Sequence, residues 1–143
     1  MTKYLTTICL LGGGVLPILV DVNTSHLLNP DWDSHARVHE AWRLSTNFLI
    51  FSLGVYLLWK KDKEILGGLM SLSIHFGFVI GALLMPLYGG DPVGEGIPEP
   101  EILMVPLNVF FFSFMFLMQS IVIAFVMKKK NKSLTGELSQ EMN

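Results

Sequence analysis

Cysteine is nearly absent from this chain. Cys9 is the single one in 143 residues, so no disulfide framework and no cysteine-built metal centre can form within one molecule. Charge is scarce as well, at 15%, and a formal net charge of -2 selects no strongly acidic or basic partner. There is no Gly-rich phosphate loop and no serine nucleophile motif. Nucleotide phosphates, serine-type catalysis and nucleic acid therefore drop out as ligands, chemistry and partner. Basic residues are missing from 89–101 (GGDPVGEGIPEPE), which carries Asp91, Glu95, Glu99 and Glu101 instead.

What the chain has in abundance is hydrocarbon. Hydrophobic residues make up 51% of it, and the mean hydropathy is +0.51. They cluster into four runs, about 4–21, 44–59, 65–88 and 102–127, each approaching the roughly 20 residues that a spanning helix needs. The runs predict an all-α fold, an integral membrane four-helix bundle. Its helices cover about 4–21, 35–60, 64–88 and 102–128, in one membrane domain over 1–130. A polar tail, 131–143, is expected to be disordered. The first run lacks an A-x-A-like cleavage site and reads as a retained helix rather than a signal peptide. Within it, Gly12-Gly13-Gly14 and Pro17 permit close packing or a bend.

Lysines orient the bundle. KKDKE (60–64) joins the second and third runs and KKKNK (128–132) ends the fourth, so both face the cytoplasm by the positive-inside rule. Four spans bring Lys3 and the N-terminus to the same side, making both termini cytoplasmic. Residues 22–43 and 89–101 then lie on the non-cytoplasmic side. Trp42 and Tyr88 mark that interface, and Tyr4 and Trp59 mark the inner one.

The segment NPDWDSHARVHEAWR (29–43) concentrates ionisable groups beside a span. Asn29-Pro30 reads as a turn, and Asp33 or Ser34 as the cap of a helix that starts near His35 and continues into the membrane. On that helix His35, His39, Arg43 and Asn47 recur every four residues. They form a polar stripe that must face protein or water. Glu40 lies three residues from both Arg37 and Arg43 and can pair with either.

Asp21 to His39, D-x-N-x-S-H-L-L-N-P-D-W-D-S-H-A-R-V-H, resembles the signature of a family of small multi-pass membrane proteins. That signature combines a D-x-N-x-[ST]-H element, N-P-x-W and H-A-[RK]-x-H between the first two spans. The resemblance covers about 19 residues and the four-span layout. It marks Asp21, Asn23, His26, Asn29, Trp32, His35, Arg37 and His39 as site positions and implies no reaction. A looser likeness, of architecture only, is to the EXPERA group of four-helix membrane proteins, which includes sterol isomerases and sterol-binding receptors.

Several chemistries fit these positions. His35 and His39, spaced H-x-x-x-H, suit a divalent metal completed by His26, Asp33 or Glu40. The reading preferred over a metal is acid–base work, with Asp21 or Glu40 as orienting carboxylate and Arg37 or Arg43 as anion stabiliser. The plain alternative is an interfacial helix whose histidines bond headgroups and loop carbonyls. His75 lies 11 residues beyond Glu64, about 16 Å deep, where an ionisable group is either functional or bonded to a hydroxyl such as Ser71, Ser73 or Ser113. Asn108 and Gln119 are expected on one face of the last span, as ligand contacts or as ordinary interhelical bonds. Asn47, His75 and Asn108 can be joined in one cavity below the histidines. The acidic loop 91–101 would lid it by pairing with Arg37 and Arg43, or be solvated.

Three functional classes follow. One is an isomerase- or cyclase-like acid–base enzyme on a lipophilic small molecule. The second is a non-enzymatic binder or carrier of a membrane lipid or ion. The third is a structural subunit docking a partner or a further copy of itself as a homo-oligomer. Convergence of His26, His35 and His39 is the expectation that separates a shared site from scattered headgroup contacts.

Overall fold

The computed structural model describes residues 1–93 and 100–141. Its elements are α1 (Thr2–Gly14), α2 (Leu16–Asp21), α3 (Ser34–Trp59), α4 (Glu64–Tyr88) and α5 (Leu107–Glu141). A minimal antiparallel ribbon of β1 (Glu101–Ile102) and β2 (Val105–Pro106) precedes α5. Four stretches are long and apolar enough to cross a membrane: Thr2–Asp21, Ser34–Trp59, Glu64–Tyr88 and Leu107–Ser133.

The first span is broken. Pro17 has no N–H to donate and its ring crowds the carbonyl four residues back, so α1 ends and α2 restarts with Pro17 in its first turn. The last span begins later than its hydropathy suggests. Leu103 and Met104 take left-handed φ values of 53° and 63°, fold 101–106 back on itself, and delay the helix to Leu107. Leu107 N–H closes this hairpin on Pro100 O at 2.8 Å. At the other end, α5 continues over 131–141. The lysines after Met127 are good helix formers and no proline follows, so the helix started in the span propagates.

α1 and α4 pack against each other, and each also packs against both α3 and α5. Three consecutive glycines make this convergence on α1 feasible. Successive residues on a helix point about 100° apart, so Gly12, Gly13 and Gly14 present three different faces. A Cβ on Gly12 would stand 2.9 Å from Phe111 Cζ of α5. On Gly13 it would stand 2.8 Å from Ile74 Cγ2 of α4. On Gly14 it would meet Phe51 Cβ at 2.3 Å and the Asn47 backbone oxygen at 3.0 Å, both in α3. Cys9 and Leu10 one turn earlier are fully buried, as are Leu58, Ser71, His75 and Gln119 on the partners.

One end of the bundle gathers the lysines. Thr2 Oγ1 donates to Glu64 Oε2 at 2.8 Å, Lys3 pairs with Asp62, and Trp59 Nε1 donates to Thr7 Oγ1 at 3.0 Å. The Lys3 ammonium holds the Asp62 carboxyl below the usual carboxylate value. That pair's stabilisation is present above the ordinary carboxylate range and fades as pH falls. Water screens so exposed a pair, which keeps the effect small. α5 runs antiparallel to α1, with Gln119 against Thr6 and Phe111 against Gly12, which brings Lys128–Lys130 to the same end. The opposite end holds the histidines of residues 26–39.

Gly14→Ala is expected to destabilise the bundle by about 1–3 kcal/mol, as overpacking does, because backbone on α3 cannot give way. Gly77→Ala, where no atom lies within 4 Å, is expected to leave stability unchanged or slightly raised. Thermal unfolding of both variants in one detergent checks the contrast.

Candidate functional site

At the histidine end, short-range hydrogen bonds build the loop between α2 and α3. Asn23 Nδ2 donates to Val20 O at 2.7 Å, which turns its Oδ1 toward Ser25. That oxygen accepts from Ser25 N at 2.8 Å and from the Ser25 hydroxyl at 2.6 Å. The only Ser25 hydroxyl proton is thereby used, so Ser25 Oγ, 2.8 Å from His26 Nδ1, accepts from that ring nitrogen. Neutral His26 is therefore the Nδ1–H tautomer, and its Nε2 keeps a lone pair for a ligand. The D-x-N-x-S-H spacing is what places these three side chains in series.

The next turn carries the aromatic wall. Asn29 Oδ1 accepts from Asp31 N at 2.9 Å, an Asx turn that swings Trp32 edge-on to His26, with ring centroids 6.1 Å apart. Asp33 caps α3 by accepting from His35 N at 2.8 Å. One turn into the helix, His35 Nε2 and His39 Nε2 stand 3.0 Å apart on the exposed surface, so one N–H donates to the other's lone pair. His39 also lies 6.0 Å from the Trp42 ring.

Arg43 belongs to a different unit. Its guanidinium bonds Glu40 through Nε at 2.9 Å and through Nη2, and the same Nη2 reaches Asp21. These contacts tie α2 to α3. They also turn the carboxylates of Asp21 and Glu40 toward Arg43 rather than toward a histidine. Charge-assisted bonds to two carboxylates outcompete a looser role. Arg37 forms no ion pair with the described residues.

A groove of about 770 Å³ opens at this end between the α2–α3 loop, the second half of α4 and the start of α5. Ser25, His26, Asn29, Asp31 and Trp32 form one wall, and Phe78, Gly81, Ala82, Met85 and Tyr88 the other. Asp91, Pro92 and Asn108 close its edge, where Asn108 Nδ2 donates to Pro92 O at 2.7 Å. Among the described residues the lining has two carboxylates and no lysine or arginine. A second, apolar recess of about 410 Å³ lies between α2 and α3, against Ile18, Val22, Leu27, Leu44 and Phe48.

The expected residues thus divide. His26, Asn29, Trp32 and Asn108 meet in the groove, with Asn23 behind His26. His35 and His39 pair with each other on the helix surface and do not line it. Among the described residues no three His, Cys, Asp or Glu side chains form a group able to hold a metal, so the triple of His26, His35 and His39 is not assembled. Asp33 is used as a cap and Glu40 by Arg43, which removes the carboxylates that would complete it.

His75 and Asn47 lie elsewhere. Asn47 packs its backbone against Gly14. His75 is fully buried and donates from Nε2 to the Cys9 carbonyl of α1 at 3.0 Å, a backbone partner rather than a hydroxyl. Its Nδ1, together with Ser71 Oγ and Gln119 Oε1, has no hydrogen-bond partner among the described residues. Gln119 instead donates to Thr6 at 3.4 Å. Glu95 and Glu99 of the expected acidic lid lie outside the described residues, whereas Asp91 lines the groove.

Sequence reasoning passed over Ser25, Asp31 and the α4 wall. Ser25 stood inside the signature as the [ST] position. The spacing of Phe78, Ala82, Met85 and Tyr88 marks one helical face, but an apolar face on a span ordinarily meets lipid. The chain matches no family model, no curated protein and no solved structure.

Ser25→Ala removes the acceptor that selects the His26 tautomer. The ring nitrogen shifts of ¹⁵N-histidine should show Nδ1 protonated in the native protein and a mixture of tautomers in the variant. Identical spectra would remove the Asn23–Ser25–His26 series from the account.

Proposed function

We propose that this chain is a membrane-embedded binding protein for an amphiphile whose headgroup is cationic or rich in hydrogen-bond donors. The observation that carries this reading is the groove's composition. Asp31, Asp91 and the Nε2 of His26 all accept, Trp32 and Tyr88 offer aromatic faces to a cation, and among the described residues no lysine or arginine opposes them. Below them Phe78, Ala82 and Met85 suit the start of a hydrocarbon tail. An anionic phosphate head would meet two like charges with nothing to offset them.

The bundle exterior supports a lipid surround. Leu49, Leu83, Leu87 and Ile121 are exposed by 68%, 74%, 82% and 69%, a surface that water would not tolerate. The lysine end is then cytoplasmic and the groove opens into the outer leaflet.

His26 also favours a second reading, proton transfer on the bound amphiphile. A neutral imidazole with one nitrogen held and the other open is the form a general base takes. The two readings part on turnover: deuterium entering the recovered amphiphile from D₂O, and lost in His26→Ala, belongs to the enzyme alone.

Binding is tested on the full chain in neutral detergent, by titrating an alkylammonium and an alkyl sulfate of equal chain length against tryptophan fluorescence. The alkylammonium should bind about tenfold tighter or better, a difference of about 1.4 kcal/mol. Asp31→Asn with Asp91→Asn should abolish the preference. Equal affinity of the two probes for the native protein would sink the proposal.

A further inference from the structure

We infer that His35 and His39 form a second site, independent of the groove: a two-imidazole chelate for a first-row divalent transition ion. Both rings project from adjacent turns of α3, at 89° to each other, with their Nε2 atoms 3.0 Å apart. Two nitrogens each about 2.0–2.1 Å from a metal, and separated by that distance, subtend close to a right angle at the ion. This is the angle between neighbouring ligands in square-planar and octahedral shells, the geometries of Cu(II) and Ni(II). A tetrahedral ion would need the nitrogens a few tenths of an ångström further apart.

Among the described residues no other side chain bonds these nitrogens. Their one bond is to each other; when an ion binds, the donating imidazole carries its proton on Nδ1 instead, which opens both Nε2 lone pairs to the metal. Asp33, whose cap fixes the first turn of α3, holds the His35 backbone in place, and the helix sets the spacing to His39. Glu40 is held by Arg43 and does not turn toward the ion. The protein thus supplies two ligands and leaves the remaining positions to water or to a ligand from outside. Both histidines are exposed, so the ion arrives from the aqueous side without crossing the bundle. Imidazole nitrogens rank Cu(II) highest among these metals, which makes it the sharpest probe.

The experiment titrates the full chain in neutral detergent with Cu(II), following electron paramagnetic resonance. One ion per chain should show hyperfine coupling to two imidazole nitrogens. His35→Gln and His39→Gln should each weaken binding at least tenfold, since loss of even an outer-shell partner costs roughly 10–100-fold. Helix content by circular dichroism confirms that these surface variants remain folded. His26→Ala, in the groove, should leave the Cu(II) signal unchanged while weakening alkylammonium binding, so failure of one site is distinguishable from failure of the other. Cu(II) coupled to fewer than two imidazoles, or binding unaffected by His35→Gln and His39→Gln, overturns the inference.

Discussion

The close approach of three helices to Gly12, Gly13 and Gly14 is the constraint on which the rest of the molecule depends. A side chain at any of the three would sit inside van der Waals distance of a neighbour. Without side chains, α1 reaches α3, α4 and α5 along a single turn of its own surface. That closeness lets His75 of α4 bond a backbone carbonyl on α1 and lets Gln119 of α5 meet Thr6. Membrane helices gain little from hydrophobic association, so tight contact of this kind and a few interhelical bonds supply the cohesion. The break at Val15 follows directly after the glycines, and the redirected α2 delivers Asp21 to Arg43.

At the histidine end, electrostatics sort neighbouring residues into separate units. Asp21, Glu40 and Arg43 neutralise one another in part and brace α2 against α3. His26 is backed by neutral hydrogen bonds and faces a groove with carboxylates at its edge. His35 and His39 satisfy each other at the surface. A segment that looks like one dense cluster on paper is three separate sets of contacts, because Arg43 draws both Asp21 and Glu40 to itself.

Features carried by short-range physics were legible in the sequence. Long apolar runs revealed the four spans, and Asp33 revealed the start of α3 to within a residue. The bonds of Asn23 to Ser25 and of Asn29 to Asp31 are just as local, yet neither Ser25 nor Asp31 was singled out. Long-range choices were not legible. Nothing local tells that Phe78 and Met85 line a groove rather than meet lipid, or that His75 finds Cys9 O. Glu40 was seen to have two possible arginines, and the approach of Asp21 decides for Arg43. The hairpin at 101–106 was hidden because Ile102, Leu103 and Met104 are as apolar as the span they precede.

The glycine turn also orders assembly in time. α1 is made before α3, α4 and α5, yet Gly12 meets Phe111 of α5. Until α5 is made, one face of α1 lacks the aromatic ring that its surface is shaped to meet. The contacts around these glycines therefore cannot be completed in chain order; they close only once α5 has been added.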